Sequence, residues 1–383
     1  ALSRHRSAFI TYGLISTAMS EVPDEFELIR RLAATQRGVR EDVVLGIGDD
    51  GAVLVPTRGS ELVAVCDTLV AGRHFPLDTD AFAIGWKALA VNLSDLAAMG
   101  ATPQWALLAL TLPERDAAWV ERFGTGFAAL AKMSSVALVG GDTTRGPLTI
   151  TVTALGAVAA GRALRRDGAQ IGDRICIAGV LGEAAPGLRA VQSQRRDDPA
   201  FAHCIARLDR PEPQLAIGQA LVGLASACID VSDGLVADLG HVATASGVGL
   251  RLDLDAIPHP PFELGARLGL DARTIVDLAL GGGDDYLLAF TVDGAQIEEA
   301  RERVAGGGRS VEGVEREAVV AVGLGPHSNG LARGVGGRAG HAVASGRSGD
   351  AAHPDGMLGD GGVEGAGGVA EHGGARDGGG DAL

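Results

Sequence analysis

The stretch AFAIGWKALAVNLSDLAAM, residues 81–99, decides the fold class more than any other. Its apolar side chains recur at helical spacing, which predicts an amphipathic helix with Asn92 and Asp95 on its polar face. The apolar positions are Trp86, Leu89, Ala90, Leu93 and Ala97. Two β-prone runs, residues 62–65 and 148–158, lie before and after the helix and predict strands. Because strand-like and helical runs alternate from residue 24 to about residue 322, we expect a mixed α/β architecture.

The length and one polar run predict the domain organisation. A chain of 383 residues is long enough for two domains, each with its own core. The run RALRRDGAQIGD, residues 162–173, is polar and turn-rich between two apolar segments, which places a boundary near residue 160. We therefore expect an N-terminal domain over residues 19–160 and a C-terminal domain over residues 161–322.

Both ends of the chain differ from this central part. Residues 1–18 carry Arg4 and Arg6 and no acid, which formally resembles a transit peptide. Met19 followed by Ser-Glu and a helix start favours instead a disordered extension translated from upstream sequence. Residues 323–383 are rich in glycine and without an aromatic, a composition that predicts a disordered tail. Because the strand-like run 318–322 stops without a partner, a product of a reading-frame shift is the favoured origin of this tail.

Charge and cysteine usage exclude several classes of protein. A net charge of -15 and a pI near 5.0 disfavour nucleic acid or an anionic membrane as partner. The cysteines show no close pair, which disfavours a zinc knuckle or a disulfide framework; they are Cys66, Cys176, Cys204 and Cys228. No stretch approaches the roughly 18 uninterrupted apolar residues of a membrane-spanning helix. We expect a soluble, cytoplasmic protein.

Acidic residues recur beside glycines or at the ends of apolar runs. A single such junction is commonly a turn or a helix cap, because aspartate is favoured at both. Here the pattern repeats in GIGDDGA (46–52), CDT (66–68), VGGDTTR (139–145), IDVSDGL (229–235) and LGGGDDY (280–286). Oxygen ligands with few histidines nearby favour Mg²⁺ or Ca²⁺, and Mg²⁺ commonly binds carboxylates together with substrate phosphates. The pattern therefore predicts phosphate chemistry with Mg²⁺.

Two common ATP-binding motifs are absent from the sequence. A P-loop needs a lysine directly after glycine, whereas Lys87 follows Trp86 and Lys132 follows an alanine. Neither V-A-I-K nor H-R-D of the protein kinases occurs. A nucleotide would then be held through metal-bridged phosphates and arginines such as Arg145 or Arg166. We expect a Mg²⁺-dependent phosphotransferase that uses ATP.

Five segments together resemble the ordered motifs of the bacterial thiamine-monophosphate kinase family. They are GIGDD (46–50), DTLVAGRHF (67–75), KALAVNLSDLAAMGA (87–101), GGDTTRG (140–146) and IDVSDGL (229–235). The resemblance implies the fold of the aminoimidazole-ribonucleotide-synthetase superfamily: two α/β domains, with an N-terminal sheet that forms a homodimer interface and a mixed C-terminal sheet. It also implies transfer of the ATP γ-phosphate to thiamine monophosphate.

The resemblance also implies roles for individual residues. The implied magnesium ligands are Asp50, Cys66, Asp67, Asp95, Asp142, Asp230 and Asp233. The implied nucleotide contacts are Gly141, Asp142, Arg166 and Ser232, and the implied substrate contacts are His74 and Asp284. Asp284 stands where the family usually has a glutamate, and Cys66 where it has a threonine or serine, so Cys66 would offer its backbone carbonyl. The family's aromatic closing segment has no counterpart in residues 323–383.

The implied mechanism is direct transfer, and two alternatives stay open. Phosphoryl transfer depends mainly on positioning and on neutralising phosphate charge, so no covalent nucleophile is expected. One alternative is a sister ATP-dependent activity of the superfamily: aminoimidazole ribonucleotide synthetase, selenophosphate synthetase or the hydrogenase-maturation dehydratase. The other is a catalytically impaired protein that binds Mg-nucleotide. For His74 alone, a surface or capping histidine is the alternative to a substrate contact.

Overall fold

The computed structural model describes residues 25–35, 40–307, 322–325 and 341–344. All of them belong to one compact unit, residues 1–346. The predicted extension, residues 1–18, lies outside the described residues, and the division into two domains near residue 160 stays a prediction.

Helices and strands alternate along the described chain, as predicted. The helices are α1 (Glu25–Thr35), α2 (Ala81–Ala98), α3 (Ala117–Met133), α4 (Ala184–Gln192), α5 (Ala202–Asp209), α6 (Leu215–Leu221), α7 (Leu235–Ser246), α8 (Phe262–Ala266), α9 (Ala272–Gly281) and α10 (Ile297–Gly307). The strands are β1 (Val43–Leu45), β2 (Val53–Leu54), β3 (Ser60–Val70), β4 (Thr102–Leu112), β5 (Ala137–Arg145), β6 (Thr149–Ala159), β7 (Arg174–Ile177), β8 (Ala227–Val231), β9 (Gly249–Asp253), β10 (Leu287–Val292), β11 (Val322–Gly325) and β12 (His341–Ala344).

The first large sheet has four strands in the order β3-β6-β4-β5. The β3–β6 and β6–β4 pairs are antiparallel, and the β4–β5 pair is parallel. Buried and partly exposed residues alternate along β6, as expected where one face of a sheet packs on a core. The strands predicted at residues 62–65 and 148–158 are confirmed as β3 and β6.

Helix α2 confirms the predicted helix and is buried on nearly all sides. Asp80 caps its N-terminus by accepting a hydrogen bond of 3.1 Å from the N–H of Phe82. Helix α3 packs against it at backbone distance, since a Cβ on Gly85 would lie 2.0 Å from the carbonyl oxygen of Phe123. The prediction of an amphipathic helix needs correction here, because its polar side faces protein groups instead of water. Lys87, Asn92 and Ser94 on this helix are buried.

The second large sheet has six strands in the order β12-β9-β11-β7-β10-β8. All pairings between its described strands are antiparallel. The prediction of a mixed C-terminal sheet is therefore wrong for these strands, and the mixed sheet is the four-stranded one. Antiparallel pairing of β8 with β10 sets Val231 opposite Leu287. The end of β8 consequently meets the start of β10, and the Gly/Asp segments that flank these two strands come together.

Two short stretches of the glycine-rich tail are strands. Strand β11 lies between β9 and β7, and β12 pairs with the outer edge of β9. The prediction that residues 323–383 lack regular structure is wrong for these stretches, because ladder hydrogen bonds use backbone groups that glycine and alanine also supply. The rest of the tail lies outside the described residues.

The core of the described residues lies on the faces of the two large sheets. Leu89, Leu93 and Leu96 of α2 are completely buried in the part of the core against the four-stranded sheet. Leu235, Leu239 and Val242 of α7 belong to the core cluster against the six-stranded sheet. No helix among the described residues is both long and apolar enough to cross a bilayer.

Candidate active site

Three of the predicted aspartates lie together, although they come from distant parts of the chain. Asp67 is on β3, Asp95 on α2 and Asp230 on β8. Asp67 and Asp95 lie close enough for each to shift the pKa of the other, and the charge of Asp230 acts on Asp95. Asp230 is almost completely buried. We call Asp67, Asp95 and Asp230 the carboxylate cluster.

The carboxylate cluster is electrostatically strained. Burial, followed by the charges of Asp230 and Asp67, raises the pKa of Asp95 to about 8. Burial also raises the pKa of both Asp67 and Asp230. The positive charge of Arg166 acts in the opposite direction on the pKa of Asp95 and of Asp230. A cation would relieve this repulsion, so the cluster suits a positively charged ligand.

The donor chemistry of the cluster fits Mg²⁺. Carboxylate oxygen donors, without histidine nitrogen or cysteine sulfur, are what this ion prefers. Among the described residues, no group of three or more His, Cys, Asp or Glu side chains is spaced as a preformed metal site.

Polar side chains of α2 fix the cluster. Ser94 Oγ donates a hydrogen bond of 2.7 Å to Asp230 Oδ2. Asn92 Oδ1 accepts one of 3.1 Å from the backbone N–H of Asp67, while its Nδ2 donates to the carbonyl of Ala88. Sequence reasoning treated Asn92 only as a partner of Asp95 on the helix face and missed Ser94. The signal that could have found them is a run of polar residues on a helix whose neighbours are all apolar.

The turn after β8 carries two predicted residues, Ser232 and Asp233. The carboxylate of Asp238 accepts hydrogen bonds of 3.0 to 3.1 Å from the backbone N–H groups of Ser232, Asp233 and Gly234. Gly234 has a φ of 111°, and a Cβ there would lie 2.7 Å from Gly281 Cα. Burial raises the pKa of Asp238 to about 6. Sequence reasoning missed Asp238, which shapes the turn.

The segment before β10 is held against that turn. The N–H of Asp284 donates to the carbonyl of Ser232, and the N–H of Tyr286 donates to that of Val231, both at 2.8 Å. Asp284 and Tyr286 have φ values of 61° and 52°, which non-glycine residues adopt only at a cost. Asp285 accepts from the N–H of Gly182 at 2.8 Å and 3.0 Å, one contact to each carboxylate oxygen. The predicted substrate residue Asp284 thus lies beside Ser232.

His74 lies close enough to the cluster for its charge to lower the pKa of Asp67. Its side chain is exposed, and its Nδ1 accepts a hydrogen bond of 2.9 Å from the N–H of Val70. This bond turns the ring back onto its own loop. The capping alternative is therefore partly realised, while the placement of His74 near Asp67 also suits a substrate contact.

The remaining predicted residues are placed differently. The side chain of Cys66 lies on the opposite face of β3 from Asp67, where its Sγ accepts from Thr153 Oγ1 at 3.4 Å, which leaves its backbone carbonyl for a ligand role. Within the described residues, no hydrogen bond or ion pair joins Asp50 or Asp142 to the carboxylate cluster. Gly141 precedes Asp142 on β5.

A cavity of about 220 Å³ lies at the end of β5, directly after Asp142. Its lining includes Thr143, Thr144 and Arg145, together with Arg115. Arg145 is one of the two arginines expected to meet a nucleotide, and the other, Arg166, acts on the carboxylate cluster.

Comparison with known proteins identifies similar chains. Residues 48–158 match the family described as AIR synthase related protein, N-terminal domain. Thiamine-monophosphate kinase of Salmonella typhimurium is 48% identical over 270 residues, which are 70% of this chain and 82% of that protein. The crystal structure of thiamine-monophosphate kinase from Stenotrophomonas maltophilia K279a is 44% identical, with a TM-score of 0.71 over 79% of this chain and 94% of that one. A structure of AaThiL complexed with AMPPCP and TMP is 30% identical, with a TM-score of 0.61 over 79% of this chain and 91% of that one.

Proposed function

This chain belongs to the thiamine-monophosphate kinase family, and from that membership we propose that it transfers the γ-phosphate of ATP to thiamine monophosphate, giving thiamine diphosphate and ADP. The family and fold expected from the motifs are confirmed by these relatives. The observation in the structure that carries the proposal is the carboxylate cluster, because one buried and two half-buried acids whose charges act on one another suit a cation that carries phosphates.

Mg²⁺ is the proposed cation, with Asp67, Asp95 and Asp230 as the residues that would hold it. When bound, Mg²⁺ neutralises phosphate charge and polarises the transferred group. Asp50, Asp142, Asp233 and the carbonyl of Cys66 stay predicted ligands. Asp233 is exposed next to the turn that Asp238 shapes, which suits it for a metal that arrives together with a nucleotide.

The protein's own residues bind and orient the two substrates. Arg166, whose charge already acts on the cluster, is proposed to meet ATP phosphates beside Ser232. His74 and Asp284 are proposed to bind thiamine monophosphate. The acceptor is a phosphate oxygen that is ionised at neutral pH, so no general base is needed. The transfer is then direct and in line, which demands positioning above all.

A homodimer is proposed with the outer face of the four-stranded sheet at its interface. Leu62 on β3 and Leu107 on β4 are 51% and 37% exposed on that sheet. Exposed apolar side chains on a sheet face favour contact with another protein surface. A cytoplasmic location stays a prediction from composition.

An ADP-release assay with several acceptors tests the proposal. The purified chain is given ATP and Mg²⁺ with thiamine monophosphate, with unphosphorylated thiamine or with no acceptor. We expect ADP release that depends on thiamine monophosphate, with thiamine diphosphate as product. ADP release at the same rate with and without thiamine monophosphate would favour a sister ATP-dependent activity. Nucleotide binding without any turnover would favour the catalytically impaired alternative.

A further inference from the structure

Lys87 is a buried lysine that neither the predicted site nor the proposed function has used. Its side chain on α2 is 1% exposed, and its Nζ lies 3.2 Å from Asp284 Oδ1 in an ion pair. Nζ has no hydrogen-bond partner among the described residues, so its contact with Asp284 is an ion pair alone. A buried amine without hydrogen bonds costs stability. Stability of the fold therefore does not explain a lysine at this position.

Asp284 is held at one carboxylate oxygen only. Its Oδ1 accepts a hydrogen bond of 3.0 Å from the hydroxyl of Tyr286 and meets Lys87 Nζ at the same atom. Lys87 Nζ also lies 6.0 Å from the centre of the Tyr286 ring. The other carboxylate oxygen of Asp284, Oδ2, makes no hydrogen bond within the part of the chain that the structure describes. The Asp284 side chain is 31% exposed. One oxygen is thus fixed from inside the protein while the other is open to a ligand.

The backbone of this segment is held independently of Lys87. The N–H groups of Asp284 and Tyr286 bind the carbonyls of Ser232 and Val231, and Asp285 binds the N–H of Gly182. Because these bonds fix the strained backbone, the contact from Lys87 acts on the side chain of Asp284 alone.

A second acid within reach of the Lys87 charge has its own partner. Burial raises the pKa of Asp209, and the charges of Arg196 and, more weakly, Lys87 act in the opposite direction. Asp209 is ion-paired with Arg196, which also contacts Asp78. If the Lys87 charge were removed, Asp209 would keep its ion pair with Arg196. Asp284 would keep its hydrogen bond from Tyr286 and its exposure to solvent.

We propose that Lys87 is a positioning residue that, together with Tyr286, fixes the carboxylate of Asp284 so that its free oxygen meets a hydrogen-bond donor or cationic group of the phosphate acceptor. This inference rests on the proposed function and adds a residue to its acceptor site. The positioning role accounts for a buried amine without hydrogen bonds at residue 87, because a residue that orients a ligand-binding carboxylate can serve function while it lowers stability.

The test compares Lys87→Met, which keeps the length and the apolar stem but removes the charge, with Lys87→Arg, Tyr286→Phe and Asp284→Asn. Lys132→Met is the matched control, because Lys132 is the chain's other lysine and is exposed on α3. Michaelis constants for thiamine monophosphate and for ATP are measured with kcat and the melting temperature. The double variant Lys87→Met/Asp284→Asn is measured beside them.

We expect Lys87→Met to raise KM for thiamine monophosphate about tenfold, with KM for ATP within about twofold of wild type. Its melting temperature should stay the same or rise, a result that a merely structural role would not give. Lys87→Arg should recover part of the loss, and Lys132→Met should match wild type. The KM for thiamine monophosphate of the double variant should lie within about twofold of that of Asp284→Asn, because the lysine acts through that carboxylate.

Two results would overturn the inference: a wild-type KM for thiamine monophosphate in Lys87→Met, or losses that multiply in the double variant. If Lys87→Met does not fold, Tyr286→Phe decides, since it removes the other contact to the same oxygen and should raise the same KM selectively; an unchanged KM there overturns the inference. Wild-type protein without thiamine-monophosphate kinase activity would instead refute the proposed function, and that is measured before any variant.

Discussion

The hydroxyl of Ser94 donates a hydrogen bond of 2.7 Å to Oδ2 of Asp230, and so joins helix α2 to strand β8 across 136 positions of sequence. The same helix binds the backbone of Asp67 through Asn92 and contacts Asp284 through Lys87. Helix α2 therefore determines the relative positions of groups from β3, β8 and the segment before β10. The site depends on buried polar groups of one helix as much as on its acids.

Loss of the Ser94 hydroxyl should impair turnover while the fold is kept. Ser94→Ala removes a hydrogen bond to a buried carboxylate, an interaction worth about 1.5 to 3 kcal/mol. We expect kcat to fall about tenfold or more, with a melt that stays cooperative but lies several degrees below that of wild type. Ser134→Ala, at the half-buried serine that caps the end of α3, is the control and should change neither, because the hydrogen bonds of that cap come from its backbone N–H. A wild-type kcat in Ser94→Ala would show that Asp230 does not need this hydrogen bond.

Loss of a carboxylate from the proposed Mg²⁺ site should raise the requirement for metal. Asp95→Asn keeps the size of the side chain but removes one charge from the cluster. We expect a loss in kcat of at least ~100-fold, because removal of a proposed ligand should cost more than the roughly 10- to 100-fold effect of disturbing a group behind the ligands, and a higher Mg²⁺ concentration for half-maximal rate. Asp142→Asn is expected to behave in the same way, although no hydrogen bond or ion pair of the described residues joins Asp142 to the cluster. Near-normal turnover of both variants at low Mg²⁺ would refute the metal-site assignment.

The pH dependence of stability should include a contribution from Asp285. Burial, opposed by the N–H of Gly182 and the charge of Arg207 and reinforced by the charge of Glu183, raises the pKa of Asp285 to about 7. The folded state then binds this proton more tightly than the unfolded state, so the contribution favours folding at low pH and is lost as pH rises towards 7. Between pH 5 and pH 8, wild type should lose roughly 2 to 3 kcal/mol more unfolding free energy than Asp285→Asn.

Urea unfolding of both proteins at the two pH values measures that difference, and other titrating groups cancel in the comparison. Asp277→Asn, at an exposed acid on α9, is the control and should follow wild type. An equal or smaller pH-dependent loss in wild type than in Asp285→Asn would mean that Asp285 is ionised in the folded protein at pH 5.

Strand β11 should make the segment around residues 322–325 necessary for stability. It lies between β9 and β7, so a chain that ends after residue 321 loses the strand that joins β9 to the rest of its sheet. We expect that chain to melt at a lower temperature than one that ends after residue 346, which should match the full chain. Equal melting temperatures for all three would show that β11 adds nothing to the fold.

Local patterns in the sequence predicted much of the fold and half of the site. Helical periodicity gave α2, and alternating β-prone runs gave β3 and β6, because these elements depend on neighbours within a few residues. Asp67 and Asp230 belong to motifs in which aspartate recurs at apolar runs, and the family resemblance added Asp95 on α2. Their mutual contact became visible only with the pairing of distant strands.

The parts that were missed depend on contacts between residues far apart in sequence. Ser94 and Lys87 look like ordinary helix residues until their buried partners are known. Strand β11 has a composition that predicts no structure, but it pairs through its backbone with β7 and β9. The direction of pairing between β8 and β10 is likewise set by the tertiary arrangement, and it brings Asp284 to Ser232.

The fate of the γ-phosphate tests the central claim most directly. The purified protein is mixed with γ-labelled ATP, Mg²⁺ and thiamine monophosphate in a single turnover, and labelled products are separated from protein. The account predicts label in thiamine diphosphate in a one-to-one ratio with ADP, and no label on the protein when thiamine monophosphate is left out. Label in inorganic phosphate alone, or a stoichiometric label on the protein that thiamine monophosphate then removes, would contradict direct transfer to this acceptor.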